Sequence, residues 1–352
     1  MVINNQSKRE SNLELLRLIS MYMIVLIHAN MYLGHFCHGI GAKVFNGFVN
    51  GICNVGVTCF VLISGYFGMK FSIRKLVKME CMMITFSLLE LGLVFALFPG
   101  KLQGADLLEA LVKACLPFVT RKYWFYSAYV CVFLLSGFIE KMIGALEKKE
   151  FRNLLAMLLG LFSVLPTLFY FEVIPDNGKG FVQMLIIYLL GRYIRKYKDT
   201  KLPTGKALGV LFILWLFNGV SHEIPVQIGG IYHHLCKDNS ITNIVIAVII
   251  FYFFKNLKLQ AGWINACSKY IFAVFALNNT VVNSLADLFL KDRGCLFSIN
   301  TLGFMCLVIC VLLVEAITLL IGFCRELVFG KVDIIFGKGI EKLFENIKFR
   351  KE

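Results

Sequence analysis

The apolar residues of this chain are gathered into long runs divided by short, charged loops. Stretches such as MLLGLFSVLPTLFYF and LGFMCLVICVLLVEAITLLIGFC have the length and purity of membrane-spanning helices. Ten spans are predicted, at roughly 13–32, 45–68, 79–98, 122–140, 152–171, 180–195, 206–220, 241–254, 266–288 and 300–324. The sixth is short. The fourth, YWFYSAYVCVFLLSGFIE, is rich in aromatic and small polar residues, a composition suited to facing protein more than lipid. The pattern is that of an all-α, polytopic membrane protein, a single domain over residues 1–352. The last span ends near 324, and 325–352 forms an amphipathic cytoplasmic tail at the membrane surface.

Composition agrees. Of 352 residues 58% are hydrophobic and 16% charged, against about 45–50% and about 25% in soluble domains, and mean hydropathy is +0.75. A net charge of +14 in a soluble chain would suggest nucleic acid, but here the cations sit in short loops and record topology instead. On the ten-span scheme 27 of the 36 Lys and Arg fall on the side of the two termini. The positive-inside rule then places both termini in the cytoplasm, in the cell (plasma or inner) membrane. The loop 99–122, with Lys101, Lys113, Arg121 and Lys122, is the exception. The first run lacks a small-residue cleavage site and is expected to be a permanent helix. Twelve cysteines, with no C-x-x-C pair, read as small buried hydrophobes, and no metal site is expected.

Two charged or titratable residues interrupt the first run, LLRLISMYMIVLIHANMY. Arg17 and His28 are eleven residues apart, hence about 20° apart around a helix and about 16 Å apart along it, on one face. Arg17 lies near the cytoplasmic end, where snorkelling to the interface is the simpler reading. His28 lies past the midplane, and an ionisable group at that depth points to function. Glu14, one turn before Arg17, can pair with it. His35, His38, His222, His233 and His234 fall in outer loops and read as solvated. Lys70, Arg74, Lys75 and Lys78 cluster in the first cytoplasmic loop, the last three on one helical face. They either set topology or hold a phosphorylated ligand. Glu90 and Glu315 are intramembrane acids, either of which could partner His28 or a cation.

These residues resemble the acyltransferase-3 family of integral membrane O-acyltransferases. That family's first helix carries an acidic residue, an arginine and, eleven residues on, a histidine, similar to Glu14, Arg17 and His28. GVTCFVLISGYF (56–67), the basic trio Arg74, Lys75 and Lys78, YWFYSAYVCVFLLSGFIEKM and LLGRYIRKY (189–197) resemble later family phrases in order. One departure stands out: where many relatives have a histidine late in the ninth span, this chain has Asn278. The resemblance implies transfer of an acyl group, most often acetyl, from cytosolic acyl-CoA to a hydroxyl of a cell-envelope polysaccharide or its lipid-linked precursor. Acetyl-CoA would be a donor substrate and not a resident cofactor. His28 with Glu14 would form the catalytic pair, His28 as general base or transient acyl carrier. Arg17, Arg74, Lys75 and Lys78 would bind the donor's phosphates, and Ser64, Tyr66, Trp124, Tyr129 and Asn278 would bind substrate. Helix packing is the competing reading for Ser64, and interface anchoring for Trp124 and Tyr129. A partner protein could complete the transfer. A transporter or flippase, or a glycan polymerase, remains the alternative; against these stand the absence of repeat symmetry and of a large external loop.

Overall fold

The computed structural model describes residues 9–34, 40–100, 102–198, 204–228, 231–289 and 301–349. Its helices are α1 (Ser11–Gly34), α2 (Ile40–Cys53), α3 (Gly56–Phe67), α4 (Ile73–Leu97), α5 (Gly104–Cys115), α6 (Trp124–Ala145) and α7 (Lys148–Leu159). They continue with α8 (Leu165–Phe169), α9 (Phe181–Tyr197), α10 (Thr204–Glu223), α11 (Ile241–Asn256), α12 (Gly262–Cys267), α13 (Ile271–Phe289) and α14 (Thr301–Phe349). Strands β1 (Val226–Ile228) and β2 (Ile231–His233) pair antiparallel, with Val226 opposite His233.

Each of the ten predicted stretches contains helix, and among the described residues seven helical segments are long and apolar enough to cross a membrane. One of the seven, Lys43–Phe67, joins α2 and α3 across a short turn; in its most apolar stretch 78% of the residues are buried, against 11% in that of Gly205–Glu223. α3 therefore runs through the middle of the bundle and α10 along its outside. α9 and α11 are shorter, at 17 and 16 residues. Pro166, which cannot donate to the carbonyl four residues back, follows a π-turn at Gly160–Val164 that widens the helix joining α7 to α8.

In lipid the hydrophobic effect does not drive helices together, so close packing and hydrogen bonds must. α3 and α9 meet backbone to backbone. A Cβ on Gly191 would stand 2.5 Å from the Leu62 carbonyl oxygen, and one on Gly65 would collide with that of Tyr188. α2 crosses α10 in the same way at Gly47 and Gly219, each within 2.8 Å of the other's carbonyl oxygen once a Cβ is added. Asparagines tie further elements: Asn218 donates to Asn243 (2.7 Å) between α10 and α11, and Asn12 to the carbonyls of Phe254 and Lys255 at the end of α11. α1 is the hub, packing against α2, α3, α11, α12, α13 and α14. Whatever projects from α1 is thus held by the interior of the bundle.

Candidate active site

His28 projects from α1 toward α13, where Asn278 meets it. The Asn278 amide nitrogen donates to the carbonyls of Val274 (2.9 Å) and Phe275 (2.8 Å) on its own helix, so its oxygen is the atom turned to the ring. That oxygen lies 2.5 Å from His28 Nδ1. A carboxamide oxygen only accepts, so Nδ1 carries the proton, and in the neutral ring Nε2 is left as the basic nitrogen. His28 also lines a cavity of about 420 Å³ together with Trp124, Asn54, Lys179, His222, His234 and Asp238. This size accommodates a small organic ligand.

The far wall of that cavity comes from loops. The turn Asp176–Lys179 is shaped by left-handed backbone at Asn177 and Gly178, and a Cβ on Gly178 would collide with the Asn239 amide. Burial holds His234 neutral, its pKa lowered to about 4, with His222 and Lys237 acting in the same direction. Asp238 is driven the other way, to about 7, again by burial, which Lys179 partly offsets. His222 pairs with Glu223 through Nδ1 at 2.8 Å, and its ring stacks edge-on with His234 at 5.2 Å. His222 and His234, expected to be solvated, therefore sit on the same cavity as His28, and His233 is buried. Their position at the His28 end of the bundle was the available signal: loops on one side of the membrane converge there. His35 and His38 lie outside the described residues. Among the described residues no group of three His, Cys, Asp or Glu is placed to hold a metal ion.

Eleven residues back along α1, Arg17 Nη1 meets Glu14 at 3.2 Å, the expected i,i+3 pair. The guanidinium faces α3, over the rings of Phe60 (5.9 Å) and Phe67 (5.8 Å), and its Nε is buried without a hydrogen-bond partner among the described residues. The basic loop residues are elsewhere. Lys78 pairs with Glu326 of α14 (2.6 Å), Arg74 pairs with Glu341 of the same helix, and Lys75 is exposed. Lys78 lines a second cavity, of about 340 Å³, with Arg9, Lys269, Tyr270, Arg325 and Glu326. The structure thus gathers Lys78 with Arg9, Lys269 and Arg325, cations the sequence reading did not group, and turns Arg17 to α3 instead.

The remaining candidates divide by location. Trp124 faces the histidine cavity. Tyr129 belongs to an aromatic cluster with Phe60, Phe125 and Phe272. Ser64 is buried and donates back to the Phe60 carbonyl at 3.0 Å, a helix-packing geometry. Tyr66 is buried, with Arg195 donating to its hydroxyl (2.7 Å) and stacked over its ring at 4.8 Å. Glu90 accepts from Tyr123 (2.6 Å) and Thr280 and pairs with Lys122 (3.0 Å). Glu315 Oε1 is buried with no hydrogen-bond partner among the described residues.

A many-helix membrane bundle with a tautomer-fixed histidine on a polar cavity is the class of protein defined so far. The chain belongs to the acyltransferase-3 family: the family's acyltransferase domain matches residues 10–320, nearly all of the bundle. It is therefore a membrane acyltransferase. No curated protein and no solved structure gives a match to the chain.

Proposed function

We propose that this acyltransferase moves an acyl group, acetyl in the first instance, from cytosolic acyl-CoA to a hydroxyl of a cell-envelope polysaccharide or its lipid-linked precursor. The observation that carries the reading is the His28–Asn278 pair on the wall of a polar cavity. A sugar hydroxyl is a weak nucleophile at neutral pH and needs a base within hydrogen-bond reach. Asn278 holds the Nδ1 proton, and His28 Nε2 takes the hydroxyl proton as the oxygen attacks the thioester carbonyl. When the carbon–sulfur bond breaks, the same proton passes to the departing thiolate, so the ring ends as it began. In the alternative route Nε2 attacks the thioester first, the carbon–sulfur bond breaks to release the thiolate, and the ring carries the acyl group as an N-acylimidazolium. The sugar oxygen then takes the acyl group, its proton passes to the thiolate, and Nε2 is freed.

The positive-inside distribution of charge supports a cytosolic Arg17 end and an opposite, outward His28 end, in the plasma (inner) membrane. Donor phosphates would meet cations on the cytosolic side: the cavity of Arg9, Lys78, Lys269 and Arg325, with Arg17 further along α1. The thioester would then have to reach His28 through the bundle. Sugar would enter from the opposite end, among Trp124, Asn54, His222 and His234.

The test is transfer of label from acetyl-CoA to carbohydrate in membranes carrying the protein. His28→Ala should lower that transfer by about 10²–10⁴-fold, the usual contribution of a positioned base, while leaving the protein inserted at normal level. Full transfer by this variant would falsify the role given to His28. Solute uptake without labelled carbohydrate would favour a transporter.

A further inference from the structure

Glu90, on α4, is an intramembrane acid for which the chemistry above has no use. Its carboxylate collects three partners from two other elements. It accepts from the Tyr123 hydroxyl (2.6 Å) and pairs with Lys122 (3.0 Å), both just before α6, and it accepts from the Thr280 hydroxyl on α13. Lys122 also donates to Ser87 (2.6 Å), three residues before Glu90 on α4. The Lys122 and Glu90 side chains are each 19% exposed, so the pair is held largely inside the bundle. Lys122 belongs to the 99–122 loop, whose cations break the chain's topological pattern. That cation is committed to an internal acid.

Both arms of this network end at the histidine site. Residues two apart in a helix lie about 200° apart around its axis. Asn278 and Thr280 therefore occupy opposite sides of α13, the first turned to His28 of α1 and the second to Glu90 of α4. The turn that carries Asn278 is thus gripped from behind. The other arm passes through Tyr123, whose ring packs edge-on against Phe275 at 5.8 Å. The Phe275 carbonyl accepts one of the two amide hydrogens that orient Asn278, and Trp124, next after Tyr123, lines the histidine cavity. We propose that Glu90 is a positioning residue. Through Thr280 and Tyr123 it fixes the rotation of α13 and the start of α6, and so holds the Asn278 oxygen at His28 Nδ1 and Trp124 at the cavity wall. Hydrogen bonds to an ionised carboxylate are stronger than neutral ones, which suits it as an anchor, and small displacements of a catalytic group are costly in rate. The inference rests on the roles given above to His28 and Asn278.

The experiment is a double-mutant cycle on the full chain in membranes, read as transfer of label from acetyl-CoA to carbohydrate. Removing Glu90 itself would strand the Lys122 charge, so the cycle uses Thr280→Val, which keeps the side chain's shape and leaves that pair intact. Thr280→Val should lower kcat about two- to tenfold, the scale of one net hydrogen bond, with donor KM unchanged. Thr280→Ser, which restores the hydroxyl, should recover most of the loss. In an Asn278→Leu background Thr280→Val should cost less than about twofold more, because the residue it positions is already gone. Thr280→Ala takes the place of Thr280→Val if the latter does not insert at normal level. A wild-type kcat in an inserted Thr280→Val or Thr280→Ala variant overturns the inference. So do losses that multiply in the double variant, the mark of a network that only stabilises the fold. Either result leaves acyl transfer and His28 standing. Wild-type protein that labels no carbohydrate defeats the acyl-transfer reading, and the inference with it.

Discussion

At the scale of single residues, the chemistry proposed for His28 turns on which of its nitrogens holds the proton. A histidine opposite His28 could present either of its nitrogens, and could itself titrate. Asn278 does neither: its two amide hydrogens are committed to Val274 and Phe275, so it offers His28 an acceptor and nothing else. In the proposed site Asn278 is thus a simplification over the histidine expected from the resemblance, with one tautomer enforced by a group that cannot change its charge. Asn278→Leu should remove the enforcement and leave Nδ1 without its acceptor. A net hydrogen bond is worth about 1 kcal/mol, so acyl transfer should fall about five- to tenfold in kcat, with donor KM unchanged. Asn278→Asp keeps an acceptor at the same place and should retain the tautomer. A carboxylate also favours the charged ring, so its activity should shift to higher pH than wild type. The pH–rate profiles of the two variants separate positioning from packing: a merely structural Asn278 would give two equally impaired enzymes with wild-type profiles.

Among elements, the most informative contact is the α3–α9 crossing, where two sequence phrases prove to be one structural feature. SGYF in α3 and LLGRYIRKY in α9 face each other: Gly65 rests on the Tyr188 carbonyl, Gly191 on that of Leu62, and Arg195 reaches back to Tyr66. Arg192 spans from Glu140 (2.8 Å) toward the Tyr66 carbonyl (3.5 Å), and the Tyr188 hydroxyl accepts from the Met69 amide. Gly191→Val should therefore force the helices apart. Overpacking of this kind costs about 1–3 kcal/mol, and the expected result is a lower melting temperature in detergent with poor expression. Gly144→Ala, at a helical glycine with open space around it, is the control and should be neutral. The helices themselves were legible because spans must be long and apolar, a one-dimensional constraint that hydropathy reads directly. Their partners were not. Glycine spacing marks a helix as able to approach another closely, but which carbonyl it will meet depends on the whole bundle.

For the molecule as a whole, the same limit explains what became of the basic cluster. Arg74, Lys75 and Lys78 were readable as one helical face because helical periodicity is local. Their counter-charges lie some 250 residues away in sequence, on the extension of α14 beyond the bundle: Lys78 meets Glu326, and Arg74 meets Glu341. At Gly337 that extension runs beside Arg74, where an added Cβ would make ordinary contact with the Arg74 backbone. Carboxylates thus occupy cations that the donor's phosphates would also seek. On the proposed role the two uses would compete, and the competition can be measured. Glu326→Gln with Glu341→Gln should free both cations and lower the KM for acyl-CoA about two- to fivefold. Exposed pairs are worth about 0.2–1 kcal/mol each, so the fold should tolerate their loss with a small drop in melting temperature. Arg74→Ala with Lys78→Ala should raise the same KM by a similar or larger factor. If instead the cluster serves only to dock α14, both double variants should soften the protein to a like extent and leave donor saturation where it was. Opposite movements of KM in the two variants, at comparable stability, are the signature of cations shared between an intramolecular acid and an incoming phosphate.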